Sequence, residues 1–280
     1  MKYMKENLIK IKELINKSDA IILGAGAGLS TSAGFEYGGK TFLSNFKYMH
    51  DKYGYTDMYS AGFHPFENSE EKWGYWSKFI YLNRYQGVKP LYLELYELLK
   101  DKNYFILTTN VDHQFQLAGF DKNRLFYTQG DYGLFQCSKP CHNKTYDNEE
   151  MIKRMVNEQI NHAIPSSLIP RCPICGEEMS TNLRSDDTFV EDEGWHKAAS
   201  RYMHFLDINK NKNILFLELG VGFNTPGIIK YPFWQYVNNN KNAHLVSINL
   251  GEMYIPKEIK DRTILINEDI AKIIEQLLEK

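Results

Sequence analysis

The stretch Ala20–Phe35, AIILGAGAGLSTSAGF, decides how the rest of the chain is read. Four apolar residues, Ala20 to Leu23, run without a polar interruption, as a strand buried on both faces of a parallel sheet does. They break into glycines at 24, 26 and 28 and then into a segment able to form a helix. Where a strand turns on glycines into a helix N-terminus, backbone N–H groups can approach a pyrophosphate. The third glycine falls one position short of G-x-G-x-x-G, and the acidic residues from Glu36 onward do not end a second apolar strand. Both features disfavour a hydride-transfer dehydrogenase. A glycine turn needed only for tight packing would read the same way.

Outward from this stretch, apolar runs and helical patterns alternate. Tyr104–Thr108 (YFILT) is a buried strand whose polar end runs into a helix closing near Gly119, and RLFYTQG (124–130) holds a short strand. Further strands are predicted in Ile214–Gly220 and His244–Leu250, and the chain closes on RTILINEDIAKIIEQLLEK, a strand followed by an amphipathic helix. An amphipathic helix precedes Ala20. Residues 40–100 are rich in aromatics at helical spacing and end in the helix KPLYLELYELLKDK. The fold class expected is α/β, a Rossmann-like parallel sheet with helices on both faces, plus a small inserted zinc-binding module and a helical layer. The expected boundaries are 1–133 and 185–280 for the sheet domain, with the 40–100 layer inside it, and 134–184 for the insert.

The 280 residues suffice for such a domain and its insert, and 43% hydrophobic with 24% charged residues is ordinary for a globular protein. A formal net charge of -2, with both signs mixed along the chain, announces no basic face for nucleic acid or an anionic membrane. A small ligand or a protein is the expected partner. No run of about 18 apolar residues and no signal-peptide pattern occurs, which leads to the expectation of a cytoplasmic protein.

Cys137-x3-Cys141 and Cys172-Pro-Ile-Cys175 form two close pairs about thirty residues apart, able to wrap a tetrahedral ion from two sides. Zinc in a closed, structural site is predicted. Free or disulfide-bonded cysteines are the alternative, which a cytosolic chain disfavours. Asn110 and Asp112 lie just past the carboxyl end of YFILTT, where open α/β sheets bind ligands, and Asn249 ends LVSIN in the same geometry. All three are also ordinary helix-cap types. Of eight histidines none is placed as a catalytic base; His113, beside Asp112, comes nearest and reads as a surface helix position.

In this order the pieces resemble the sirtuin family of NAD-consuming enzymes over nearly the whole chain. GAGAGLSTSAGF is similar to the sirtuin GAGxSxxxGIPDF loop, TTNVDHQFQLAG to TQNIDxLHxxAG, NLRSDDTFVEDEGW to RPxVVxFGE, and ELGVGFNTP to GTSxxVxP. TQG stands where HG is expected, and the four-cysteine insert follows it. The resemblance implies that Gly24, Ala25 and Gly26 meet the NAD phosphates, with Gly28 and Ser30 in the same loop. It places Asn110 and Asp112, with Thr109, at the nicotinamide-ribose end. Gly220, Val221, Gly222, Asn224 and Asn249 fall on the adenosine side, and Asp269 joins the binding set. NAD as co-substrate and structural Zn2+ are the expected cofactors. Catalytic roles fall to Asn110, Asp112 and Gln129.

The departures are equally informative. EYGGK replaces IPDFR, Thr109 replaces the Gln of TQN, and Gln129 replaces the family's catalytic His. With a bacterial-looking Lys/Asn/Ile-rich composition, these resemble the macrodomain-linked (class M) sirtuins of bacteria. That branch implies ADP-ribosylation of a lipoylated glycine-cleavage H-like carrier, with a macrodomain hydrolase and a lipoate-protein ligase as functional companions. Deacylation requires a general base for a ribose hydroxyl, and a neutral amide cannot take that proton. Mono-ADP-ribosyl transfer to a protein is therefore expected. A deacylase using Asp131 or His113 as base, an NAD hydrolase and a non-enzymatic NAD- or ADP-ribose-binding adaptor remain as alternatives.

Overall fold

The computed structural model describes residues 2–251 and 253–279. Among the described residues nine strands form: β1 (Ala20–Ala25), β2 (Tyr104–Thr108), β3 (Leu125–Tyr127), β4 (Gly130–Cys137), β5 (Tyr146–Asp147), β6 (Met179–Leu183), β7 (Ile214–Leu219), β8 (Ala243–Asn249) and β9 (Thr263–Asn267). They divide between two compact units. The first comprises Met1–Ala33, Val88–Gln129 and Glu193–Lys280, the second Gly34–Gly87 and Gly130–Asp192.

In the first unit six strands pair in the order β3-β2-β1-β7-β8-β9, every pair parallel. Counted within this sheet that is the 3-2-1-4-5-6 order of a doubly wound fold, whose direction of winding reverses between β1 and β7. Both faces are covered, which is why the strands read as unbroken apolar runs. Ile21, Leu23, Leu215 and Leu217 pack with Ile11 and Ile15 of helix Lys2–Lys17, Leu91 and Leu95 of Pro90–Leu99, and Ile273 and Ile274 of Ile270–Leu278. On the other face Ala20, Ile22, Phe216 and Leu245 pack with Leu206 of helix Glu193–Asn209 and with Phe233 and Val237 of Lys230–Asn239. The α/β architecture expected from the sequence is present.

The second unit is built on an antiparallel sheet, β5-β4-β6. Its make-up corrects the expected domain boundaries. Residues 34–87, which hold most of the 40–100 helical layer, fold with the insert rather than with the parallel sheet, and of that layer helix Pro90–Leu99 stays with the sheet. The reason lies in the side chains. Ser69, Lys72 and Trp73, in the first turns of helix Ser69–Arg84, all donate to the Glu178 carboxylate, at 2.5, 2.9 and 2.8 Å. Trp73 also meets Phe135 of β4 edge-on at 5.1 Å, and Arg84 pairs with Asp131 at 3.0 Å. The insert itself runs from Gly130 to Asp192, wider than 134–184.

Candidate active site and metal centre

The glycine-rich turn after β1 and the turn after β7 flank the point where the sheet order reverses, the position at which open α/β sheets hold ligands. A cleft of about 200 Å³ lies there, lined by Gly26, Ala27, Gly28, Thr109, Gly220, Val221, Gly222, Asn224, Thr225, Ile229 and Asn249. The two turns touch through their backbones. Gly26 N–H donates to Leu219 O at 3.0 Å and Gly28 N–H to Gly220 O at 2.9 Å. Gly220 has φ +64°, and a β-carbon there would lie 2.1 Å from Leu29 N, so the position admits only glycine. The N–H groups of Gly26 and Gly28 are thus spent on the neighbouring turn. These glycines shape the cleft by close approach.

Gly24 and Ala25 are buried inside β1 and do not line the cleft. A β-carbon on Gly24 would lie 2.6 Å from both Ile229 and Phe233, which is a packing reason for that glycine. Thr225 and Ile229 line the cleft without having been expected from the sequence. The turn after β7 is anchored from below by a buried ion pair. Lys230 Nζ lies 2.6 Å from Glu218 Oε1, which also accepts from Ser247 Oγ at 2.7 Å. Glu218 and Lys230 are 1% and 5% exposed, so this pair sits in the low-dielectric interior, and Glu218 Oε2 has no protein partner.

Past the end of β2, Asn110 and Asp112 are both buried. The Asn110 amide donates from Nδ2 to Gly26 O at 3.0 Å, tying the β2 and β1 turns together. Asp112 Oδ2 accepts from Ser30 Oγ at 2.5 Å and from the Tyr92 hydroxyl at 3.4 Å, while Oδ1 accepts from Gln114 N at 3.1 Å. Burial and, second, the Asp112 charge push the Tyr92 hydroxyl well above its ordinary pKa, so it stays a donor. Nothing in the sequence singles out Tyr92, which reads there as one more apolar position of helix Pro90–Leu99.

Gln129 lies half-buried in the turn directly after β3, again at the carboxyl edge of the parallel sheet. His113 is half-buried at φ 64°, heading the short helix Gln114–Leu117 rather than riding on a helix surface. Asp131, buried in the second unit, is held by Arg84 and by Gly133 N–H at 2.7 Å. Asp269 caps helix Ile270–Leu278 by accepting from Lys272 N, and it accepts from Ser32 Oγ at 3.0 Å. It does not line the cleft.

In the second unit the four cysteine sulfurs lie within 4.8 Å of one another, with Cys137–Cys175 and Cys141–Cys172 each at 3.6 Å. A tetrahedron of thiolates around zinc has sulfur–sulfur edges of about 3.8 Å, from Zn–S bonds of about 2.3 Å. The donor set and spacing fit the ion. At such spacing, structural zinc would offset the mutual repulsion of four thiolates.

No family model matches the chain. Among solved structures, a sirtuin determined for substrate affinity superposes with TM-score 0.63 at 20% identity, covering 97% of each chain. A Sir2 complex with a p53 peptide and NAD+ gives 0.60 at 20% identity, covering 96% of each. At that identity the likeness establishes the fold alone. A protein ADP-ribosyltransferase of Staphylococcus aureus is 40% identical over 266 residues, spanning 94% of this chain and 84% of the relative. The chain belongs to the ADP-ribosyltransferases of sirtuin fold.

This ADP-ribosyltransferase is an NAD-dependent enzyme, and its cleft lies at the β1/β7 switch, the position at which doubly wound folds hold ligands. A further relative, from Fusarium oxysporum f. sp. cubense, is named "Probable bifunctional ADP-ribose hydrolase/ADP-ribosyltransferase". It is 30% identical over 286 residues, which cover 96% of this chain and 47% of that longer protein. No helix of the described residues is long and apolar enough to cross a membrane.

Proposed function

We propose that the ADP-ribosyl group passes to a nucleophilic side chain of a protein, and that this acceptor is a lipoyl-carrying, glycine-cleavage H-like protein. The observation that carries the first half is Gln129, a neutral amide in the turn after β3 at the carboxyl edge of the sheet. It can hydrogen-bond a ribose hydroxyl but cannot serve as the base that deacylation requires. The candidate replacement Asp131 is already engaged by Arg84 and Gly133 N–H. With a side-chain acceptor one displacement suffices. The nucleophile bonds to ribose C1′ as the bond from C1′ to the nicotinamide nitrogen breaks, and the nucleophile's proton passes to solvent.

The chain's own share is orientation and the exclusion of water. Asn110 and Asp112, fixed by Gly26 O and by Ser30 and Tyr92, are assigned to the ribose at the reacting end. Thr109 and Gln129 stand beside them. Gly220, Val221, Gly222, Asn224 and Asn249 are assigned to the adenosine end. The protein acceptor is supported by the name of the S. aureus relative and by a charge balance without a nucleic-acid footprint. The Fusarium relative's name joins transfer to ADP-ribose hydrolysis, which supports a partnership with a separate macrodomain hydrolase. A lipoate-protein ligase that prepares the carrier, and a cytoplasmic site of action that keeps the cysteines reduced, belong to the same reading.

The test incubates the purified protein with labelled NAD and the carrier, lipoylated or not, beside an acyl-lysine peptide. Label on the lipoylated carrier only, without peptide deacylation, is expected. Equal labelling of both carrier forms would remove lipoyl dependence. Robust acyl-lysine removal would overturn the assignment of Gln129, and nicotinamide release without any labelled acceptor would turn the enzyme into a hydrolase.

A further inference from the structure

The cysteine cluster has a side that its four sulfurs do not cover. Cys137 and Cys172 are buried, whereas Cys141 and Cys175 are exposed. Four thiolates around one Zn2+ leave a net charge of about −2, and on the exposed side that charge faces water, chelators and oxidants. On this side stands His142. Its Nδ1 lies 3.0 Å from Cys141 Sγ and 4.0 Å from Cys172 Sγ, and its Nε2 lies 2.8 Å from the Tyr146 hydroxyl.

A ring nitrogen that faces a thiolate has to donate, because a thiolate has no proton to offer. In a neutral ring the proton then sits on Nδ1, which leaves the Nε2 lone pair to accept from the Tyr146 hydroxyl 2.8 Å away. The hydrogen bonds run in one direction, Tyr146 to His142 to Cys141. Tyr146 is itself placed by β5, paired with Phe135 of β4, the strand that ends on Cys137. The phenol is therefore held in register with the metal loop, and the imidazole is oriented from both of its nitrogens.

We propose that His142, oriented by Tyr146, is a positioning residue that donates to the exposed Cys141 thiolate and so slows the loss of zinc to chelators and oxidants. The proposal rests on the zinc reading of the four cysteines. Drawing charge from the outer sulfur lowers its reactivity as a nucleophile and fixes its direction, as outer partners of metal ligands do. A chain of four cysteines alone would hold zinc equally tightly with any residue at position 142, which is the alternative to be tested.

Zinc-replete full-length protein is mixed with excess EDTA, or with hydrogen peroxide, and release is followed with a chromophoric zinc indicator. His142→Ala should release zinc about tenfold faster, at the lower end of what loss of an outer partner costs. Tyr146→Phe should fall between the two, and His142→Gln, whose amide N–H can still donate, should stay near the wild type. Release from His142→Ala within about twofold of wild type, or a Gln variant as fast as the Ala variant, overturns the proposal. Should His142→Ala fail to fold, Tyr146→Phe decides, since wild-type release from it would overturn the relay. Wild-type protein with under half an equivalent of zinc would overturn the metal reading, and this proposal with it.

Discussion

The two units place their chemistry on different parts of the chain. In the parallel-sheet unit the site is made of strand ends and turns, with glycines whose role is to let one backbone touch another at Gly28 and Gly220. In the other unit the site is four sulfurs, and the sheet around them has only three strands. The first arrangement is complete once the apolar faces of its sheet are covered, ligand or no ligand. The second brings four ionisable thiols together at the end of a three-stranded sheet, so the local fold around them is tied to what offsets their charge. Side chains of modest size thus make a preformed site in one unit and a metal-dependent one in the other.

The sharpest way to break this contrast is to strip the metal. Structural zinc supplies on the order of 10 kcal/mol or more to small modules, so chelation or Cys172→Ser should abolish hydrogen-exchange protection in β4 and β6 while β1 and β7 keep theirs. Protection that survives in β4 would make the two units alike. A smaller effect tests whether the parallel unit also depends on charge. Lys230→Met leaves the Glu218 carboxylate buried and unpaired, which should cost about 3–5 kcal/mol in denaturant unfolding. Adding Glu218→Leu should recover most of that loss; no recovery would mean that the amino group has a task beyond pairing.

Next comes the glycine that the contrast singles out. Gly220→Ala should cost about 3 kcal/mol, since the new methyl meets backbone at 2.1 Å, whereas Gly222→Ala, with nothing within 4 Å, should change stability by under about 0.5 kcal/mol. Equal effects at the two positions would refute the close-approach account. The smallest effect concerns Glu178. Burial opposes its charge, but the donors Ser69, Lys72 and Trp73 outweigh burial and hold its carboxyl below the usual glutamate value. A depressed carboxyl stabilises the fold above the unfolded-state value, and that advantage is lost as pH falls through the folded value. Glu178→Gln should therefore cost about 1 kcal/mol at pH 7, and the gap to wild type should close in acid. A gap independent of pH would assign the loss to packing.

How much of this was legible depends on the distance over which each feature is specified. YFILT and ILFLEL announce buried parallel strands because burial on both faces removes every charged residue but one. That one, Glu218, was itself a signal, a charge inside an apolar run that demands a partner such as Lys230. The cysteine pairs were legible because each pair is local. The division into units was not, since it rests on Glu178 meeting helix Ser69–Arg84 more than a hundred residues away. Helix Glu149–Glu158 hides in a polar stretch because only Ile152 and Met155 are buried. Tyr92 looked like core, and its hydroxyl gains meaning only once Asp112 lies beside it.

The strand order has a consequence for how the chain comes into being. β1 lies between β2 and β7, and 188 positions separate its last residue, Ala25, from the first of β7, Ile214. At synthesis rates of about 5–20 residues per second, one edge of β1 waits roughly ten to forty seconds for its neighbour. Every residue of the cysteine unit has left the ribosome by Asp192, before that wait ends. Of the four interior strands β1 thus waits longest for its second neighbour, and for that interval a fully apolar strand is available for pairing with the wrong chain.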